Sequence, residues 1–302
     1  MTGVADLIPS TAALGAHLDR VGYLADEGIA TALFCAVRLP QPLLLEGEAG
    51  VGKTEAGKAL AEVLDTPLIR LQCYEGIDAA EALYEWNYPR QLLGIRLAEA
   101  AGRNLGDTDL FTRDYLVARP LLRALEHPGP RPAVLLIDEI DRADDEFEAF
   151  LFELLAESSV TIPELGTIRA THPPVVVLTS NRTRDLHDAL KRRCLYHWID
   201  YPSLERSVAI IRRRVAASNE TIAAQVASAV RRLRTLDIQK PPGVAEAINW
   251  AMALDLLGLG QLDEDGAGAT LGSVLKYRED IDAARAQGLG WVVGAGSTVP
   301  SG

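Results

Sequence analysis

A glycine-rich segment that follows a short apolar run constrains the fold of this chain more than any other feature. Residues 47–54 read Gly-Glu-Ala-Gly-Val-Gly-Lys-Thr and begin where the apolar run at 43–45 ends. A strand, a glycine-rich turn and a helix N-terminus direct several backbone N–H groups at one point, where the helix dipole favours negative charge. The alternative is a glycine-rich turn that occurs by chance, but the helical pattern over residues 53–64, directly after the turn, favours a phosphate loop. The segment predicts a phosphate loop in an α/β protein.

The residue types of this loop suit a nucleoside triphosphate. Its glycines let the main chain approach the phosphates without a Cβ clash, the lysine adds a mobile positive charge, and the threonine hydroxyl is a ligand for Mg²⁺. The residues expected to bind ATP are Gly47, Glu48, Ala49, Gly50, Val51, Gly52, Lys53 and Thr54.

A second strand supplies the acidic part of the expected site. The apolar run 133–137 is typical of a parallel strand buried on both faces, and it ends in Asp138 and Glu139. We expect Asp138 to bind nucleotide-associated Mg²⁺ opposite Thr54, and Glu139 to orient and polarise the attacking water. An acidic pair at a strand end is common by itself, but its place on a strand that a phosphate-loop sheet requires favours this catalytic interpretation.

Composition predicts a globular protein with little affinity for nucleic acid. The 302 residues exceed one typical domain, so we expect two, and 48% are hydrophobic. The formal net charge of −12 argues against a polyanion-binding surface. Three cysteines without a C-x-x-C spacing indicate buried thiols, with neither a disulfide framework nor a zinc site. Without a spanning apolar stretch or a secretion signal, we expect a cytoplasmic protein with no integral membrane segment.

Strand and helix signals alternate as in an α/β domain and then become purely helical. A helical lead-in over 1–40 precedes an α/β core over 41–201, a helical lid over 202–287 and a loose glycine-rich tail over 288–302. The core is expected to contain a five-stranded parallel sheet, an insertion after the second strand at about 74–118, and a hairpin at 159–170. Helices are expected in the lid at 204–216, 222–236 and 244–257.

The ordered motifs resemble those of an AAA+ ATPase, and the long insertion with the hairpin resembles the MoxR branch. Several segments are similar to the MoxR-type ATPase of aerobic carbon monoxide dehydrogenase gene clusters, namely residues 71–76, 84–88, 161–169, 179–183 and 190–198. The resemblance implies a hexameric, chaperone-like ATPase that acts on a molybdenum hydroxylase client together with a von Willebrand factor A domain protein.

The resemblance also implies roles for three further residues. Asn181, at a strand end, matches the sensor that positions the hydrolytic water or the γ-phosphate. Arg193 matches the arginine finger that acts on a neighbouring subunit, with Arg192 as the alternative. A solvated helix end, stabilised by the helix dipole, is the alternative interpretation of this basic cluster.

Two points of the resemblance stay open. Gln72 either hydrogen-bonds Glu139 or is a packed amide at a strand end. Where the family carries a lid arginine, this chain has Pro-Gly-Val-Ala-Glu at 242–246, and Lys240 is the nearest cation.

Rival functions have weaker support in the sequence. A GTPase would need an Asn-Lys-x-Asp motif, which the sequence lacks, and a small-molecule kinase would not need Asn181 with an arginine from a neighbour. A nucleotide-gated scaffold with little hydrolysis remains the alternative.

Overall fold

The structure, a computed structural model, describes residues 4–215 and 220–294 of the chain. These residues divide into two compact units. The first unit contains residues 4–21, 25–46 and 54–198, and the second contains residues 22–24, 47–53, 199–215 and 220–294.

The described strands, numbered in chain order, are β1 (Leu43–Gly47), β2 (Leu68–Gln72), β3 (Tyr84–Trp86), β4 (Leu116–Ala118), β5 (Val134–Asp138), β6 (Ser159–Ile162), β7 (Gly166–Arg169), β8 (Val175–Ser180) and β9 (Leu195–Ile199). The described helices are α1 (Val4–Leu7), α2 (Thr11–Arg20), α3 (Glu27–Arg38), α4 (Lys53–Leu64), α5 (Ala79–Leu83), α6 (Tyr88–Ala100), α7 (Asp107–Leu110), α8 (Pro120–Leu125), α9 (Asp145–Glu157), α10 (Asp188–Arg193), α11 (Leu204–Arg214), α12 (Glu220–Leu233), α13 (Val244–Leu256), α14 (Glu264–Val274), α15 (Arg278–Gln287) and α16 (Leu289–Val293).

Five of the strands form one parallel sheet in the order β2-β5-β8-β1-β9, which confirms the predicted fold class. Every residue of β1, β5 and β8 is buried, because these near-continuous apolar runs are covered on both faces. The parallel register pairs Gln72 with Asp138 and Leu45 with Thr179. Polar residues that end neighbouring strands therefore meet at one edge of the sheet.

Two antiparallel pairs lie outside this sheet. Within the expected insertion, β3 pairs with β4, and the edge-to-face contact of Trp86 with Phe111 packs beside them. Between α9 and β8, β6 pairs with β7, and Ser159 faces Arg169. The turn of this second pair contains Gly166 at φ +80°, a left-handed conformation that glycine adopts without a Cβ penalty. The chain therefore reverses direction between β6 and β7 through a short turn.

The second unit contains a helical core around one tryptophan. Trp250 is fully buried, and its indole N–H donates to the hydroxyl of Thr270 at 2.7 Å. Helices α14 and α15 lie in the segment predicted to be a helical lid, but neither they nor the short α16 were predicted individually, since the glycines of α14 lower its helix propensity. Residues 289–293 are helical, with Val292 fully buried, although the sequence indicated a loose tail there. The rest of that tail, residues 295–302, lies outside the described residues.

Among the described residues, the helices are all too short or too polar to cross a lipid bilayer.

Candidate nucleotide-binding site

Residues 47–53 of the phosphate loop lie in the second unit and need glycine at defined positions. Gly50 and Gly52 have φ values of +76° and +100°, and a Cβ on Gly47 would come 2.3 Å from the carbonyl oxygen of Ile199. The ammonium group of Lys53 donates to the carbonyls of Gly47 and Glu48, at 2.7 Å each. The Lys53 side chain is therefore hydrogen-bonded to the main chain of the phosphate loop.

The N-terminus of α13 contacts this loop within the same unit. The backbone N–H of Val244 donates to the carbonyl of Gly50 at 2.8 Å. A Cβ on Gly243 would lie 2.7 Å from the Cα of Gly50, so only glycine allows this approach. Glu246 caps α13 by accepting from the N–H of Gly243 at 2.9 Å. The start of α13 thus contacts the phosphate loop through backbone atoms.

Arg234 is the arginine that lies beside this helix start. Its Nε donates to the carbonyl of Pro242 at 2.7 Å, and its guanidinium lies 3.9 Å from the ring centroid of Tyr201. Burial lowers the pKa of Arg234 from its ordinary value. Arg234 thereby fixes the segment before α13. Lys240, the nearest cation in the sequence, donates through its backbone N–H to Asp280 at 3.2 Å.

In the first unit, Asp138 is the centre of a hydrogen-bonded cluster. Its Oδ1 accepts from the hydroxyl of Thr179 at 2.5 Å and from that of Thr54 at 2.9 Å. Its Oδ2 accepts from Nε of Arg70 at 3.0 Å and from Nη2 of Arg70 at 2.5 Å. The predicted pair of Thr54 and Asp138 is thus in direct contact.

Glu139 follows Asp138 in a strained conformation. Its φ of 55° and ψ of 49° are left-handed, which costs a non-glycine residue roughly 1–2 kcal/mol. Its N–H donates to the hydroxyl of Thr179 at 3.0 Å, and its carboxylate lies 3.3 Å from Nη1 of Arg142. The sharp turn carries the Glu139 side chain away from β5 into a partly exposed position. Gln72 accepts a hydrogen bond from Arg70, so the structure supports a strand-end amide and gives no contact between Gln72 and Glu139.

Asp141 holds the chain segment that carries the expected sensor residue. Its buried Oδ2 accepts from the N–H of Asn181 at 3.2 Å, from the N–H of Thr183 at 2.9 Å and from the hydroxyl of Thr183 at 2.7 Å. Arg182, between them, is also left-handed, with φ 57°. Because left-handed residues other than glycine persist only where their surroundings hold them, the turn after β8 is a defined structure.

The following segment is fixed to α9 and leads to the two expected finger arginines. Glu148 is almost fully buried; it pairs with Arg184 and accepts from the N–H of His187 at 2.8 Å. Arg192 and Arg193 are exposed at the end of α10, and the guanidinium of Arg193 lies 4.1 Å from the ring centroid of Phe152. The structure thus brings Arg193 into a cation–π contact, and it brings Thr54, Asp138, Glu139 and the Asn181 turn together through Thr179 and Asp141.

The field at this end of the sheet is negative. Burial raises the pKa of the Cys73 thiol to about 12, and the charges of Asp138, Asp141 and Glu139 add to this effect. A hydroxyl and a carboxylate in contact are hard oxygen donors, and Mg²⁺ in nucleotide sites is held by one or two such ligands besides phosphates and water. Thr54 and Asp138 therefore fit Mg²⁺, which would neutralise part of this negative field.

Four residues of the site had no predicted role. Arg70 and Thr179 are strand residues whose contact with Asp138 depends on sheet order. Asp141 and Glu148 are carboxylates in a chain with many acidic residues, so only their burial distinguishes them. Of these four residues, Thr179 was the one with a sequence signal, because polar residues end the otherwise apolar strand at 179–180.

Comparison with known proteins gives a family match over the α/β region. The profile of the AAA domain (dynein-related subfamily) matches residues 42–194, just over half of the chain. A relative from Staphylococcus aureus (strain USA300), described as an uncharacterized protein, is 26% identical over 169 residues, which cover 54% of this chain and 57% of that protein. The chain therefore spans little more than half the length of the curated relatives that it matches.

Solved structures show weaker likeness. The Holliday junction branch migration motor RuvB of Thermotoga maritima is 15% identical with a TM-score of 0.48, and the match covers 82% of this chain and 68% of that chain. Domain III of the replication initiation protein DnaA of Thermotoga maritima is 14% identical with a TM-score of 0.47, over 87% of this chain and 98% of that chain.

Proposed function

Because this chain belongs to the AAA domain family, dynein-related subfamily, we propose that it binds ATP with Mg²⁺ and hydrolyses the bond to the γ-phosphate. The observation that carries the proposal is the network of Thr54, Asp138, Thr179 and Glu139. One threonine hydroxyl, that of Thr179, donates to the carboxylate expected to meet the metal and accepts from the N–H of the expected catalytic glutamate. This network fixes the Asp138 carboxylate and the main chain of Glu139 from one strand end.

The residues have distinct roles in the proposed reaction. Lys53 supplies positive charge to the β- and γ-phosphates, and Thr54, the next residue in the chain, with Asp138 would hold Mg²⁺, which supplies charge neutralisation on the phosphates. Glu139 accepts a proton from the attacking water and orients it in line with the scissile bond. Asn181 contacts the water or the γ-phosphate from the turn that Asp141 holds.

A pair of substitutions tests this division of roles. Lys53→Ala should abolish ATP binding, whereas Glu139→Gln should bind ATP as the unchanged protein does and lose turnover, because Lys53 acts in the ground state and Glu139 on the water. Affinity is measured with a fluorescent ATP analogue and turnover by steady-state phosphate release. Lys58→Ala removes an exposed lysine of the same helix and is the matched control, expected to change neither quantity. Equal loss of affinity in both site variants would contradict the assignment.

We propose further that the active unit is a hexameric ring in which Arg193 acts on the γ-phosphate of a neighbouring subunit. Its exposed guanidinium lies at the end of α10, where it contacts the ring of Phe152. Arg192, the exposed residue before it, is the alternative finger. An arginine finger contributes roughly 10³- to 10⁵-fold to the rate. Activity should then rise with assembly, which sedimentation and phosphate release measured at the same protein concentrations will test.

The proposed biological role is maturation of a metalloenzyme. The resemblance to MoxR-type ATPases supports a molybdenum hydroxylase client, such as carbon monoxide dehydrogenase, and a von Willebrand factor A domain partner in the cytoplasm. The β6–β7 hairpin and the aromatic segment 84–88 are the proposed client-facing surfaces, because loops on a rigid scaffold suit recognition. Deletion of residues 163–166 should leave ATP turnover intact and reduce client maturation. Unchanged maturation would count against the hairpin.

A nucleotide-gated scaffold with little hydrolysis is the second candidate. It is favoured by one observation: α13 begins with Gly243 and Val244 in backbone contact with the loop, where the family has a lid arginine. Nucleotide binding could then move the helical lid without efficient turnover. Phosphate release with and without the partner protein separates the two candidates, since a scaffold would show partner binding that depends on ATP but no stimulated turnover.

A further inference from the structure

The side chain of Arg70 is hydrogen-bonded to the carboxylate of Asp138, which is the proposed metal ligand of the nucleotide site. Arg70 lies on β2, the edge strand of the sheet, and reaches Asp138 on the neighbouring strand with two N–H groups. The Asp138 side chain is 3% exposed, whereas that of Arg70 is 47% exposed. The Oε1 of Gln72 accepts a further hydrogen bond from the same guanidinium. The half-exposed guanidinium of Arg70 is thus paired with the buried carboxylate of Asp138.

The acceptor capacity of Asp138 is fully used by protein donors. A carboxylate has about four lone-pair directions. Hydroxyl groups of Thr179 and Thr54 and two N–H groups of Arg70 account for four donors. A divalent cation that binds Asp138 must therefore displace a donor, and Thr54 is itself expected to be a ligand of that cation. Arg70, which donates twice to Oδ2 and whose charge also repels the metal, is the group that has to leave.

We propose that Arg70 is a positioning residue that competes with Mg²⁺ for Asp138. It holds the buried carboxylate in a fixed orientation until a nucleotide brings the metal, and it is then released from Asp138. The edge position of β2 gives the arginine room to move into solvent, and Gln72 remains beside it as an alternative partner. This inference rests on the proposed ATP site and specifies a step in its loading.

The test uses nucleotide affinity in EDTA and in Mg²⁺. A fluorescent ADP analogue is titrated into the full chain under both conditions, and the ratio of the two dissociation constants measures how far Mg²⁺ tightens binding. In Arg70→Met this ratio should rise roughly 5- to 30-fold, the range that corresponds to about 1–2 kcal/mol of lost competition. The melting temperature in EDTA should fall, because Asp138 loses its cation, and saturating Mg²⁺ with ADP should restore more of it than in the unchanged protein.

The protein offers a matched control and a conservative variant. Arg113 pairs with Glu126 at the same 2.5 Å, and its side chain is also 47% exposed, so Arg113→Met removes an arginine ion pair of the same length away from Asp138. Its acidic partner is less buried, at 26% exposed against 3% for Asp138. The ratio in Arg113→Met should equal that of the unchanged protein. Arg70→Lys keeps the charge but not the pair of guanidinium N–H groups that meet Oδ2, and it should give an intermediate ratio. This variant covers the case in which Arg70→Met does not fold.

Each outcome separates the inference from the proposed function. The inference is overturned if Arg70→Met and Arg70→Lys both give the same ratio of dissociation constants as the unchanged protein. A lower melting temperature with that result would make Arg70 part of a structural ion pair. Affinity that weakens equally in EDTA and in Mg²⁺ would make it a phosphate-binding arginine. Failure of the unchanged protein to bind nucleotide under either condition overturns the ATP site itself. A raised ratio with an unaltered Arg113→Met control supports both.

Discussion

Replacement of Asp141 by alanine should destabilise the turn that carries Asn181 and reduce ATP turnover far more than ATP binding. Asp141 is 2% exposed, and one of its oxygens accepts three hydrogen bonds from Asn181 and Thr183. Among the described residues, no other side chain makes three hydrogen bonds to this turn. Truncation would leave two backbone N–H groups and one hydroxyl without their acceptor.

The expected magnitude follows from the burial of these groups. Hydrogen bonds to a charged group contribute about 1.5–3 kcal/mol each, but three donors on one oxygen are not additive, and water can enter part of the space. The second oxygen, Oδ1, is buried without a hydrogen-bond partner, so the unchanged protein already carries a desolvation cost that alanine relieves. We therefore expect Asp141→Ala to lower the free energy of unfolding by about 2–4 kcal/mol.

Asp141→Asn is the control that separates hydrogen bonding from charge. Its amide oxygen can accept the same three bonds, so its cost should stay below about 1.5 kcal/mol. Both variants are unfolded in urea, and phosphate release and affinity for a fluorescent ATP analogue are measured on the folded proteins. Turnover of Asp141→Ala should fall roughly 100-fold, the effect of a displacement near 1 Å in a catalytic group, while affinity changes little.

Two results would refute this reasoning. If Asp141→Ala unfolds within about 0.5 kcal/mol of the unchanged protein, the three bonds contribute nothing that water does not replace. If Asn181→Ala keeps full turnover while Asp141→Ala loses it, Asp141 acts through something other than the position of Asn181.

Three further predictions address other parts of the molecule. Gly243→Ala should weaken ATP affinity or stability by about 1–3 kcal/mol, because its Cβ would meet backbone atoms of the phosphate loop. The control Gly272→Ala should stabilise α14, because a Cβ at that position meets nothing within 4 Å. Equal effects of the two substitutions would exclude close approach as the cause. Arg193→Ala should bind ATP and hydrolyse it poorly, and mixing it with Glu139→Gln subunits should recover part of the turnover; well-mixed rings without recovery would rule out action between subunits. Burial raises the pKa of Cys73 to about 12 from an ordinary 9.0, so between these pH values the unfolded chain loses this proton and the folded chain keeps it. Cys73 by itself should therefore lower the free energy of unfolding by about 1.4 kcal/mol per pH unit, and Cys194, whose pKa burial also raises to about 12, should add to this fall. Urea unfolding between about pH 9 and 11 should show a shallower slope for Cys73→Ala than for the unchanged protein.

Much of the fold was predictable because its signals are local. The apolar runs of β1, β5 and β8 predict buried parallel strands. The glycine-rich loop at 47–54 predicts the connection from a strand to a helix. The helices after α13 were not predictable in the same way. Thr270 and Gly266 of α14 have low helix propensity, and they are helical because Trp250 and its neighbours bury them.

What the sequence determined by itself was the chemistry of the site: a loop for phosphates, a hydroxyl and a carboxylate for Mg²⁺, and a glutamate for water, each identified by residue type and distance from a strand end. Only the tertiary structure decided the partners of those residues. Arg70 meets Asp138 because β2 lies next to β5, and Asp141 meets Asn181 because β5 lies next to β8. Strand order and register depend on packing between distant parts of the chain, and a short-range pattern carries no record of them.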